Sequence, residues 1–240
     1  MFHVEHAAAI DSAIPPEIRV RTICLKNGVR LTDAQLAKLV SFVAALLEWN
    51  VKINLISRKD TEKIWFSHIL HSLALLFYAT IPEGWRVFDL GTGGGLPGIP
   101  LAIARPDLRF TLVDSIRKKS AAVEDIVSRL GLSNVRVRTG RAEEIAKEKG
   151  MSRCHDLVIA RAVAPLAELV QWSKPLLSGR TPPEGNELPA LIALKGGDLE
   201  AEIAAAKREW RGCAITAINM SFEGSLELGL EDKKLVFTRM

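Results

Sequence analysis

The sequence predicts an α/β fold, with a mainly parallel sheet of about seven strands covered on both faces and preceded by a small helical addition. Three observations carry this. From Arg86 onward, short apolar runs alternate with segments of helical period. Ahead of that point, the sustained apolar patterns have the helical period. No internal repeat and no second core pattern divides the chain.

Residues 1–30 carry Pro15, Pro16 and Gly28 without a sustained period, and are expected to form an extended or loosely packed arm. Thr32 and Gln35 have the capping-box spacing. Leu36, Leu39, Val40, Val43, Leu46 and Leu47 then recur at the helical period, which predicts an amphipathic helix reaching about Trp49. Asp60 is the expected N-cap of a second helix, lined on one side by Ile64, Trp65, Ile69, Leu73 and Leu76. The strand candidates follow: Val87 to Leu90, Phe110 to Val113, Val135 to Val137, Leu157 to Ile159, Leu191 to Leu194, Ala214 to Ile218 and Leu235 to Phe237. Ile116 to Leu130 is the clearest helix between them, with Gly131 where a C-cap glycine belongs. Ser178 to Pro189, rich in proline and glycine, reads as a surface loop. We expect one domain over 31–240, with helices over 31–83 and the sheet core over 84–240.

Of the 240 residues, 48% are hydrophobic and 25% charged, which excludes a disordered or collagen-like chain. The most apolar run, near Leu70 to Ile81, contains His71 and Ser72 and falls short of the roughly 18 apolar residues of a spanning helix, so no membrane partner is expected. The N-terminus lacks a basic start and a continuous apolar segment, so we expect a cytoplasmic protein. Cys24, Cys154 and Cys213 stand apart without a neighbouring Cys or His pair, and neither a disulfide framework nor a metal site is expected. The formal charge is +4. Basic clusters at Arg117 to Lys119, at Arg136, Arg138 and Arg141, and at Lys52, Arg58, Lys59 and Lys63 read as solvated faces unless a site lies among them.

The densest signal runs from Phe88 to Gly98, Phe-Asp-Leu-Gly-Thr-Gly-Gly-Gly-Leu-Pro-Gly, where the first strand turns into its helix. Glycines such as Gly91, Gly93 and Gly95 let a backbone approach a ligand closely, and the helix start behind them offers unpaired N–H groups. Asp114 ends the second strand roughly 20 residues beyond Gly91, where a carboxylate can accept from both hydroxyls of an adenosine ribose. Gly93, Gly95 and Gly98 also satisfy the dinucleotide fingerprint, so a nicotinamide-dependent oxidoreductase is the rival reading. Asp89 argues against it. A carboxylate before the loop repels a pyrophosphate but attracts the ammonium of S-adenosylmethionine. The expected cofactor is therefore S-adenosylmethionine.

The residues from Asp89 to Ile103, with Pro106 and Thr111 to Ser115, resemble the cofactor-binding region of the 16S rRNA (guanine-N7)-methyltransferase G family, also called glucose-inhibited division protein B. Trp49, Asn50, Asn54 and Leu55, His68 to Leu70 with Ser72, Ala160 to Ala162, and Ala193 to Gly196 are similar to that family too, and the likeness runs from about Leu31 to the C-terminus. The resemblance implies a Rossmann-like class I S-adenosylmethionine-dependent methyltransferase, acting on a guanine in a conserved loop of 16S rRNA, in the small ribosomal subunit or its precursor. It places Gly91 and Leu96 against the cofactor, Ala142 and Glu143 beside its adenine, and Arg161 at the site from the end of the fourth strand. His71 departs from the pattern, standing where the family usually has an acid; Ser120 to Val123 and the long loop before Ala190 depart as well.

Guanine N7 has an exposed lone pair and no proton to lose, so the implied reaction needs orientation rather than a general base. No Asn-Pro-Pro-Tyr type motif for exocyclic amines follows the fourth strand, and no Pro-Cys or Thr-Cys nucleophile for pyrimidine carbons occurs. An N7 about to attack cannot also accept a bond, so Arg161 and Arg141 are expected to hold O6 or a flanking phosphate. Asn54, His68 and Lys195 come forward from the resemblance. Asn54 reads equally as a turn cap, His68 as a structural tie, and Lys195 as a phosphate ligand. Glu143 reads equally as an ordinary acid at a helix start. A monomer is expected.

Overall fold

In the computed structural model, which describes residues 14–180, 190–225, 229–230 and 232–240, the expected arm is replaced over its second half by helix α1 (Pro16–Lys26). Pro16 occupies the first turn, where its missing N–H costs nothing. Val20 and Cys24, one turn apart, are fully buried, and the helix packs on the Trp65–Leu70 segment, which anchors it.

Helix α2 (Asp33–Lys52) opens with both arms of the expected capping box. The Gln35 N–H donates to Thr32 Oγ1 at 3.2 Å, and the Thr32 N–H donates to Gln35 Oε1 at 2.9 Å. The Gln35 amide also donates to the carbonyls of Ile103 and Ala104 at 3.0 Å each, so one cap satisfies the end of a second helix. Although α2 has the length and composition of a membrane-crossing helix, Leu39, Phe42 and Leu46 are fully buried in the protein.

The second expected helix starts later than Asp60. That residue closes a short 3-10 turn, Arg58–Asp60, capped by Ser57 rather than opening a helix of its own. Helix α3 (Trp65–Tyr78) begins in π-helical geometry over Trp65–Leu70. The wider turn brings Ile69, Leu70, His71 and Ser72 into the interior in succession, which a regular helix with a narrower apolar face would not do.

All the expected strands form: β1 (Arg86–Leu90), β2 (Arg109–Asp114), β3 (Val135–Thr139), β4 (Leu157–Arg161), β5 (Leu191–Gly196), β6 (Ala214–Asn219) and β7 (Lys233–Arg239). Among the described residues they make one seven-stranded sheet, in the order β3-β2-β1-β4-β5-β7-β6. Strands β1 to β5 run parallel, whereas β7 is antiparallel to both β5 and β6. Helices α4 (Gly98–Ala104), α5 (Arg117–Arg129), α6 (Ala142–Ile145), α7 (Leu166–Ser173) and α8 (Glu200–Glu209) connect the strands. Gly131 follows α5 at φ +60°, as its C-cap position requires. Most of the Ser178 to Pro189 loop lies outside the described residues.

Side-chain alternation assigns each strand to two core layers. Val87, Phe110, Leu112 and Ile159 face the layer that also contains α1 to α5, whereas Phe88, Leu90, Val113, Val158 and Ala160 face α6 to α8. Strand order reverses between β1 and β4, and such a switch point leaves a crevice at the carboxyl ends of the strands.

Candidate active site

At that crevice two acids tie the glycine loop to the strand ends. Asp89 Oδ2 accepts from Thr92 Oγ1 at 2.7 Å and from the Gly98 N–H at 2.9 Å. Asp114 Oδ2 accepts from the Gly93 N–H at 3.0 Å, and its Oδ1 accepts from the Ile116 N–H at 2.8 Å. Gly98 is the tightest point. A Cβ there would lie 2.2 Å from Leu112 Cδ2 and 2.5 Å from Asp89 Oδ2. Gly93, at φ +58°, has open space where its Cβ would be, so this turn presents bare backbone.

Asp89 is fully buried, and its Oδ1 has no partner among the described residues. Burial pushes its carboxyl up to about 6, against the bonds from Thr92 and Gly98 and the charge of Arg161. A buried carboxylate oxygen without a partner, behind bare loop backbone, suits a cationic group, and the ammonium of S-adenosylmethionine fits it directly or through a water. Asp114 first orders the loop. Each of its oxygens accepts one protein bond and keeps a lone pair, consistent with ribose hydroxyls.

The other predicted residues separate into four places. Arg161 ends β4, in register beside β1 through Ala160 and Leu90. Burial lowers its guanidinium to about 10, with Asp89 and Asp60 opposing, and it makes no hydrogen bond or close ion pair among the described residues. His68 joins it: the ring lies 3.7 Å from Asp60, and both of its nitrogens are buried without a hydrogen bond among the described residues. Burial and the Arg161 charge push His68 down to about 4 and the neighbouring His71 to about 3. His71 has a backbone hydrogen bond with Ser67, while its Nε2 is buried without a partner.

On the cofactor side, Leu96 is buried in the loop, and Arg141, Ala142 and Glu143 lie at the start of α6. A bond from the Gly140 N–H to the Asp114 carbonyl at 3.1 Å brings that start alongside β2. Ala142 is buried and Arg141 exposed. Asn54 is exposed on a shallow cavity of about 390 Å³ that it shares with Leu55 to Arg58. The turn-capping role open to it belongs to Asn50, whose Oδ1 accepts from the N–H groups of Leu55 and Ile56 at 2.9 and 3.0 Å.

Lys195 requires a correction. Its ammonium, expected to face phosphate, donates to the Ala164 carbonyl at 2.6 Å and to Glu202 Oε1 at 2.5 Å. A nearly buried lysine with a carbonyl and a carboxylate in reach is engaged inside the protein. A second cavity of about 680 Å³, among Arg86, Arg109, Arg136 and His155, opens at the amino ends of the strands and contains none of the predicted site residues.

The family described as rRNA small subunit methyltransferase G matches residues 35–228. The chain belongs to that family. It is 45% identical over 190 residues to the ribosomal RNA small subunit methyltransferase G of Chlorobium luteolum, covering 79% of this chain and 74% of that one. With the Bacteroides thetaiotaomicron protein of the same name the identity is 41% over 219 residues, covering 91% and 99%. Among solved structures, cofactor-bound Rv0187 from MTB matches at a TM-score of 0.52 and 20% identity, covering 94% of this chain and 98% of that one. The TYW2 of M. jannaschii in complex with AdoMet matches at 0.51 and 13%, covering 78% and 77%; both likenesses speak to fold alone. Family and fold place this chain among the S-adenosylmethionine-dependent methyltransferases, and the oxidoreductase reading of the same glycines is set aside.

Within a methyltransferase G frame, four residues to which the sequence assigned no part in the site help build it. Thr92 and Gln35 order the glycine loop and α4, Asn50 shapes the turn before Ile56, and Glu202 holds Lys195. Thr92 and Asn50 stand within the family-like segments; Glu202 had no signal, because its partners come from β5 and the β4–α7 connection.

Proposed function

We propose that this chain methylates N7 of a guanine in a conserved loop of 16S rRNA, with the small ribosomal subunit or its precursor as substrate. The observation that supports this best is Arg161, a partly buried guanidinium without a hydrogen-bond partner among the described residues, at the switch point within reach of the Asp89 charge. Bound S-adenosylmethionine supplies a methyl group on a positively charged sulfur. Asp89 would hold its ammonium, directly or through a water, Asp114 would hold the ribose, and the bare backbone at Gly93 would permit close approach. Arg161 donates to guanine O6 and leaves N7 free to attack. No side chain needs to remove a proton. Orientation on this frame can supply roughly 7 to 11 kcal/mol of the barrier.

Exposed Arg58, Lys59, Arg117, Lys118 and Arg141 lie in the loops and helix starts around the site and are suited to RNA phosphates. We further propose that the enzyme acts as a cytoplasmic monomer. The test is methyl transfer from isotope-labelled S-adenosylmethionine to unmodified 16S rRNA and small subunits, followed by nucleoside digestion and mass spectrometry. Label in 7-methylguanosine is expected. Label in another nucleoside would overturn the choice of atom.

A further inference from the structure

The connection from β4 to α7 carries Arg161 at one end and is fixed by residues outside the glycine loop. Its second residue, Ala162, has φ +53°, a left-handed conformation that a residue with a Cβ adopts only when its surroundings impose it. The Ala162 N–H reaches the Leu194 carbonyl only at 3.4 Å, a weak hold. The firm holds come later in the segment. Lys195 Nζ donates to the Ala164 carbonyl at 2.6 Å and to Glu202 Oε1 at 2.5 Å, and the same Glu202 oxygen accepts from the Leu166 N–H at 2.6 Å.

Glu202 thereby does what Pro165 cannot. As the N-cap of α7, Pro165 has no side-chain acceptor for the first N–H groups, so a carboxylate from α8 supplies one. A second tie joins the same helices: Trp210 Nε1 donates to the Ala167 carbonyl at 3.0 Å, and Lys174 stands 4.2 Å over the Trp210 ring. Between the weak and the firm holds, Val163 lies across Gly91. A Cβ at Gly91 would be 2.6 Å from Val163 Cγ2, so the segment packs directly on the cofactor turn between Asp89 and Gly93.

We infer that Lys195 and Glu202 form a latch that seats the 162–165 segment on the glycine loop, making Lys195 a positioning residue for methyl transfer. Through Ala164 and Leu166 the latch sets the strained backbone at Ala162, and through it both Val163 on Gly91 and the origin of the Arg161 side chain. Lys195 holds the cofactor turn and the substrate-facing arginine in one register and does not touch RNA. This inference rests on the proposed function for its kinetic readout and on the geometry alone for its binding readout.

The experiment compares Lys195→Met, Glu202→Leu, their double variant and Val163→Ala for S-adenosylmethionine affinity, kcat, RNA KM and Tm. Misplacing reacting groups by a fraction of an ångström is expected to lower kcat about tenfold or more in each latch variant. Weaker cofactor binding should accompany it, with RNA KM and its salt dependence unchanged. The double variant should be no worse than the singles, because both remove one device. Val163→Ala, which leaves the latch intact, should shift the same two quantities less, and Lys195→Arg should recover part of the rate. A raised RNA KM with a shallower salt dependence in Lys195→Met would mean a phosphate contact and overturn the inference. A lowered Tm with unchanged kcat and cofactor affinity would mean a purely structural pair and overturn it too. If the unmodified enzyme makes no 7-methylguanosine, the proposed function fails, while cofactor affinity across the same variants still decides the latch.

Discussion

Asp89 shows how one buried atom links cofactor binding to pH. Its folded-state carboxyl titrates near 6, above the ordinary value, because burial disfavours the charged form. Only the ionised form attracts an ammonium. S-adenosylmethionine affinity should therefore be full above pH 7 and fall about tenfold per unit below pH 6. Calorimetric titration across pH 5 to 8 checks this, and Asp89→Asn should bind weakly with a flat profile over that range. The place of Asp89 beneath the glycine loop was legible in the sequence because acid, strand end and glycine loop are adjacent. That of Lys195 was not: a lysine at a strand end reads alike whether it faces phosphate or a carboxylate brought in from the next helix.

At the scale of elements, legibility followed the strength of the local pattern. The strands and α5 were readable because each carries a run of apolar side chains or a full helical stripe. Helix α1 was not, since only Val20 and Cys24 are buried and two prolines look like breakers until one of them proves to start a helix. The π-helical start of α3 was equally hidden, because it inserts a residue into a pattern read at the regular period. Two substitutions test how elements hold the loop. Gly98→Ala should displace Leu112 or Asp89, lowering stability by about 1 to 3 kcal/mol and weakening the cofactor, as read by urea denaturation and calorimetry. Thr32→Ala removes one arm of a cap and should cost about 1 kcal/mol with little change in cofactor affinity.

For the whole molecule, three buried imidazoles dominate the response to acid. His68 and His155 are held near 4 and His71 near 3, chiefly by burial, so each stays neutral in the fold and takes up a proton only on unfolding. Their stabilisation is complete above about pH 6.5 and is lost as pH falls toward 4, by up to about 2 kcal/mol each at pH 5. Asp89, shifted the other way, returns about 1 kcal/mol over the same interval. The urea midpoint should thus be clearly lower at pH 5 than at pH 7.5. Charge follows the sheet as well. Arg136 and Arg141, neighbours in sequence, are carried by β3 to opposite ends of the strands, so the basic run is not one patch. Arg141→Glu should weaken RNA binding and make its dependence on salt shallower, whereas Arg136→Glu should leave both near normal.

The most direct test that Arg161 orients guanine by O6 is the single-turnover rate of 7-methylguanosine formation at saturating S-adenosylmethionine, for the unaltered enzyme and for Arg161→Ala. Loss of a charged donor aimed at the reacting base should slow methylation by about 100-fold or more. Cofactor affinity should stay within a few-fold. Near-normal methylation by Arg161→Ala would contradict this assignment and return Arg161 to a structural role.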